Sequence, residues 1–105
     1  MSVSVRLVGV KERLALGVRV ELPESPPLLV VVGDKGFIMC GYLNLDVAEE
    51  LGAVAATVSG VRTVDDVLEA PIRGLTSRAR DLGIKEGMKG IEALELMMGP
   101  DERPQ

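Results

Sequence analysis

The side chains best suited to chemistry fall in one short stretch, Gly33-Asp34-Lys35-Gly36-Phe37-Ile38-Met39-Cys40-Gly41-Tyr42-Leu43-Asn44. It holds the only cysteine, the only tyrosine and the only phenylalanine of a 105-residue chain. The thiolate is the reactive form of cysteine, and amide N–H groups at a helix start stabilise it. Cys40 stands shortly before Asn44, a residue type that caps helices, so the sequence gives it such a setting. Gly41 admits close approach of a ligand or of another backbone, and Tyr42 and Asn44 add polar groups. Cys40, Gly41, Tyr42 and Asn44 are therefore the candidate ligand-binding residues. Packing is the competing explanation for Cys40, because an unpaired cysteine usually behaves as a small buried hydrophobe.

Composition limits what that stretch can do. The chain has no histidine, which excludes Ser-His-Asp and Cys-His pairs and any His-ligated metal. A single thiol cannot close an intrachain disulfide or build a multi-cysteine zinc site. An enzyme using Cys40 as nucleophile would need a carboxylate, Lys35, Tyr42 or a group from another subunit as its base. The favoured reading is non-catalytic binding or assembly, with no catalytic residue, metal or cofactor assigned. A thiol-dependent enzyme built on Cys40 is the alternative.

Other motifs have plainer explanations. Gly33-Asp34-Lys35-Gly36 lacks the length and the Lys-Ser/Thr ending of a phosphate-binding loop and reads as a hairpin turn. Asp65, Asp66 and Glu69 could offer oxygen ligands, but acidic residues in a first helical turn already suit the helix dipole. Arg78, Arg80, Lys85 and Lys89 read as a solvated face. Met88, Met97 and Met98 read as core and interface filler.

The totals describe a folded domain. Apolar residues make up 47% of the chain and the net charge is −4, so disorder is not expected. The acidic balance gives no electrostatic case for nucleic acid, and two aromatics leave little for base stacking. No stretch reaches the ~20 apolar residues of a membrane span. The start, Met1-Ser2-Val3-Ser4-Val5-Arg6, lacks the order of a signal peptide. A cytoplasmic protein is expected, consistent with its unpaired thiol. The only amides are Asn44 and Gln105, a sign of a thermophilic source. A chain this small with surplus apolar residues is expected to contact a copy of itself.

The elements that would position the candidate residues follow from periodicity. Residues 2–10 and 13–22 alternate apolar and polar positions and form an antiparallel hairpin about Lys11-Glu12. Glu24-Ser25-Pro26-Pro27 breaks the pattern. Leu28 to Val32 and Phe37 to Tyr42 form a second hairpin, read as central and covered on both sides. Asn44 caps a helix that buries Leu45, Ala48 and Leu51 and stops at Gly52. Residues 53–59 are a strand candidate short enough to leave a helical reading open, and Thr63 with Asp66 resembles a capping box. Pro71 ends that helix, and residues 72–75 suit a short edge strand. A helix over 77–82 stops at Gly83. The last helix runs from about Met88 to Met98, with Met88, Ile91, Leu94 and Met98 on one stripe. The fold class is α+β, a mostly antiparallel sheet of two hairpins with short helices packed on it. Residues 1–100 make one domain, and 101–105 a polar tail.

The run from Leu28 to Asn44, centred on Met39-Cys40-Gly41-Tyr42, resembles the signature of the YunC-like family of small archaeal and bacterial proteins of unknown function. The likeness continues through 55–68, 79–88 and 90–97, and weakens before Leu28 and after Met98. The resemblance implies an α+β domain whose N-terminal β region serves tetramer formation. It implies no catalytic assignment. Combined with the residue reading, it gives a homo-oligomer, expected as a tetramer through residues 1–22. An unidentified small ligand would sit near Cys40–Asn44, and neither nucleic acid nor membrane is a partner.

Overall fold

Alternation in the first twenty residues produces the expected hairpin. In a computed structural model that describes residues 2–99, β1 (Val3–Val10) pairs antiparallel with β2 (Arg13–Val20). Lys11 takes a positive φ of 56° in the turn. The strand β3 (Leu28–Val32) pairs antiparallel with β2 and with β4 (Phe37–Met39). The strand β5 (Ala55–Thr57) lies parallel to β4, and β6 (Gly74–Leu75) closes the edge antiparallel to β5. Among the described residues this is one six-stranded sheet in sequential order, β1 to β6. The parallel step needs a crossover, because two parallel strands cannot be joined by a tight turn. It is supplied by α1 (Leu45–Glu50). The fold is α+β with a mostly antiparallel sheet.

The two faces of the sheet differ sharply. One face carries Val8, Val10, Ala15, Leu29, Val31, Ile38, Ala56 and Val58, all buried. It is covered by α2 (Val64–Glu69) and α4 (Gly90–Leu96), which contribute Val67, Ala93, Leu94 and Met97 to the core. Gly90 permits the close packing of these helices, since a Cβ there would stand 2.0 Å from the Val67 carbonyl oxygen. The helix α3 (Ser77–Asp81) adds Ala79 to the same core. On the opposite face Val5, Leu7 and Leu14 are 61–64% exposed. The register places Leu7 beside Leu16 and Leu16 beside Val32, so the exposed residues form one surface.

Several boundaries depart from the periodicity. The central hairpin is covered on one side only: Leu29 and Val31 are buried, whereas Leu28 and Val30 are half-buried and Val32 is exposed. Leu51 points outward, and Ala48 alone is fully buried from α1. The last helix begins at Gly90 and buries Ala93, Leu94 and Met97, while Met88, Ile91 and Met98 lie half-buried at its flank. The strand expected over 37–42 stops at Met39. The polar tail 101–105 and the start at Met1 lie outside the described residues.

Candidate functional site

The shortened β4 follows from a change of partners at Cys40. The Cys40 N–H donates to the Leu29 carbonyl at 3.0 Å, as a ladder would require. In the reverse direction the Leu29 N–H donates to Cys40 Sγ at 3.3 Å, so sulfur takes the place of a backbone oxygen. The Cys40 carbonyl is turned to other donors, Leu43 N–H at 3.1 Å and Thr57 Oγ1 at 3.2 Å. One residue thus ties β3, the 40–43 turn and the end of β5 together. The thiol faces the Pro27 carbonyl at 4.0 Å and is buried.

Beside this knot Tyr42 Oη donates to the Pro26 carbonyl at 2.9 Å, fixing the proline segment between β2 and β3. The ring itself is about half exposed. Gly41 has open space where a Cβ would stand. From the far side comes the 59–62 loop, in which Gly60 adopts φ +72°, a conformation that favours glycine. Arg19 Nε on β2 donates to the Arg62 carbonyl at 3.0 Å and pins that loop. The Arg62 and Thr63 N–H groups both donate to Asp66 Oδ2, and the Asp66 N–H to Thr63 Oγ1, which forms the capping box of α2.

Three segments, Pro26-Pro27, Cys40-Gly41-Tyr42 and Ser59-Gly60-Val61-Arg62, enclose a cavity of about 540 Å³. That volume suits a small molecule. The prolines, the Tyr42 ring and Val61 give it apolar walls, and Arg62 is the one charged residue of its lining. Of the four sequence candidates, Cys40, Gly41 and Tyr42 come together here. Asn44 does not line the cavity: its Oδ1 accepts the Val47 N–H at 3.1 Å as the cap of α1. Pro26-Pro27 and Ser59–Arg62 carried no functional signal in the sequence, where the prolines read as a strand break and Ser59 as the end of a strand candidate.

Other polar clusters hold the fold together. Asp65 pairs with Arg6 at 2.6 Å, and that guanidinium holds its carboxyl below the usual range. Glu69 pairs with Lys89 at 3.4 Å. The acidic trio 65, 66 and 69 is thereby divided among separate partners. Among the described residues no group of three or more His, Cys, Asp or Glu could hold a metal ion. In the 33–36 turn, Gly33 N–H donates to the Gly36 carbonyl at 2.8 Å and Lys35 N–H to the Met97 carbonyl at 2.7 Å. That turn docks the end of α4.

Residues 39–97, from the last residue of β4 through α4, match the family described as "Domain of unknown function (DUF1805)". The chain is also 46% identical over 85 residues to "Uncharacterized protein YunC" of Bacillus subtilis (strain 168), covering 77% of this chain and 83% of the relative. The chain belongs to the DUF1805, YunC-like family. A solved member of the same fold, "a Protein of Unknown Function TA1206 from Thermoplasma acidophilum", superposes with a TM-score of 0.86. It is 28% identical and the match covers 91% of this chain and 93% of that one. The DUF1805 match takes in two of the three cavity segments, 40–42 and 59–62, and leaves out Pro26-Pro27. Among the described residues no helix is long and apolar enough to cross a membrane.

Proposed function

We propose that this DUF1805 protein is a homo-oligomeric, non-catalytic binding domain whose small-ligand site is the cavity at Cys40-Gly41-Tyr42. The observation that carries this reading is the cavity itself, about 540 Å³, walled largely by apolar residues and with Cys40 in its lining. The partners of Cys40 Sγ are the backbone groups of Leu29 and Pro27, and the Tyr42 hydroxyl is given to Pro26. Neither a carboxylate nor a lysine lines the cavity, so the thiol has no evident base, which favours binding over thiol catalysis. The open apolar face of β1, β2 and β3 supports self-association through the N-terminal hairpin, as a tetramer in this reading. A cytoplasmic location, a thermophilic source and the absence of nucleic-acid or membrane partners complete the proposal, supported by the net charge of −4 and the scarcity of amides.

Thiol modification tests the site. A small uncharged thiol reagent should label native Cys40 more slowly than free cysteine, and Gly41→Val, which narrows the cavity, should slow it further. Labelling faster than free cysteine would instead favour the thiol-dependent enzyme. A rate untouched by Gly41→Val would show that the cavity is not the route to the thiol.

A further inference from the structure

The cavity also carries information about its occupant. Resting on the reading of this space as a binding site, we infer that its ligand is a small organic oxyanion, a carboxylate or phosphate monoester on an apolar or aromatic body, held by Arg62. Arg62 forms no ion pair among the described residues, a state it shares with Arg73, Arg78 and Arg80, and it alone of these four lines the cavity. The acidic residues nearest to it in the chain are both occupied, Asp65 in its pair with Arg6 and Asp66 as the capping carboxylate for two backbone N–H groups. The lining therefore presents one unmatched cation and no anion. A guanidinium offers a planar fork of donors that matches two oxygens of one carboxylate or phosphate.

Hydrogen-bonding capacity around the cavity fits the same ligand. Among the described residues, the N–H groups of Gly41, Tyr42, Ser59, Gly60 and Val61 have no protein acceptor. Four lining carbonyls are already engaged, that of Pro26 by Tyr42, that of Pro27 by the Cys40 thiol, that of Cys40 by Leu43 and Thr57, and that of Arg62 by Arg19. The remaining peptide groups keep donors as well as acceptors, so the sign of the preferred ligand is set by Arg62. Pro26, Pro27, Val61 and the half-exposed Tyr42 ring supply the surface for the uncharged part. An organic body is needed to fill that wall, and a bare inorganic anion would leave it wet.

Three probes with one aromatic body test this: 3-phenylpropionate, 2-phenylethyl phosphate and 3-phenylpropan-1-ol, titrated by ligand-observed NMR against the full chain. Both anions should bind at least about tenfold more tightly than the alcohol, the size expected for a charge-assisted pair. Arg62→Gln should erase that advantage, whereas Arg78→Gln, on α3, should keep it. The ranking of carboxylate against phosphate then identifies the headgroup. Equal binding of alcohol and anions would overturn the assignment of ligand class while leaving the cavity as a binding site. Failure of all three probes to bind would count against the cavity reading as well. The comparison on the unmodified chain decides the class even if Arg62→Gln does not fold.

Discussion

Cys40 shows how one residue can answer a structural and a functional question together. Its sulfur accepts the Leu29 N–H at 3.3 Å where a strand would offer a carbonyl. Cys40→Ala should therefore leave a buried donor unsatisfied and cost about 1–3 kcal/mol of stability by urea denaturation. Cys40→Ser, which keeps an acceptor, should cost less. At Glu49, the Ser77 hydroxyl at 2.5 Å and the Ser77 N–H at 3.0 Å hold the carboxyl below its ordinary range. A depressed carboxylate contributes stability that is complete above the unfolded value. That contribution is lost as pH falls through the lower folded value. Comparing the acid unfolding of native protein and Glu49→Gln should show a shallower acid loss in the variant. Rare residue types made 40–42 legible in the sequence. Asn44 was harder, because its side chain can equally serve a ligand or a helix start, and only the Val47 contact decides between them.

Element boundaries depended on whether a local pattern or a distant contact set them. Period-2 alternation over residues 3–20 made the first hairpin legible, and the Thr63-Asp66 spacing made the start of α2 legible. Thr63→Ala should cost about 1 kcal/mol in thermal or urea unfolding, the usual loss of a side-chain cap. The end of β4 was not legible, since the ladder is interrupted by a sulfur whose partner lies eleven positions earlier. Helix α4 starts where the Lys89 N–H donates to Glu92 Oε1, and its first residue is glycine because the approach to α2 leaves no room for a Cβ. Gly90→Ala should thus destabilise by about 3 kcal/mol or more, since backbone rather than a flexible side chain must move. Pro26-Pro27 and Ser59–Arg62 meet through the pairing of β3 with β4 and of β4 with β5. No sequence period brings those segments to one cavity.

For the whole molecule, α2 and α4 cover one face of the sheet, and the other leaves Val3, Val5, Leu7 and Leu14 in water along the first hairpin. Exposed apolar surface of this kind marks an association site. Light scattering should give a multiple of 11.2 kDa for the native chain, and Leu7→Asp should shift it toward the monomer. A native monomer at micromolar concentration would remove the oligomeric part of the proposal. The binding part is tested most directly by backbone amide NMR of the intact protein against a small-fragment library. Binding fragments should move the signals of Gly41, Tyr42, Gly60, Val61 and Arg62 together while those of the exposed hairpin stay still. A library that leaves these five signals unmoved, or that moves others in their place, would contradict a ligand site at Cys40-Gly41-Tyr42.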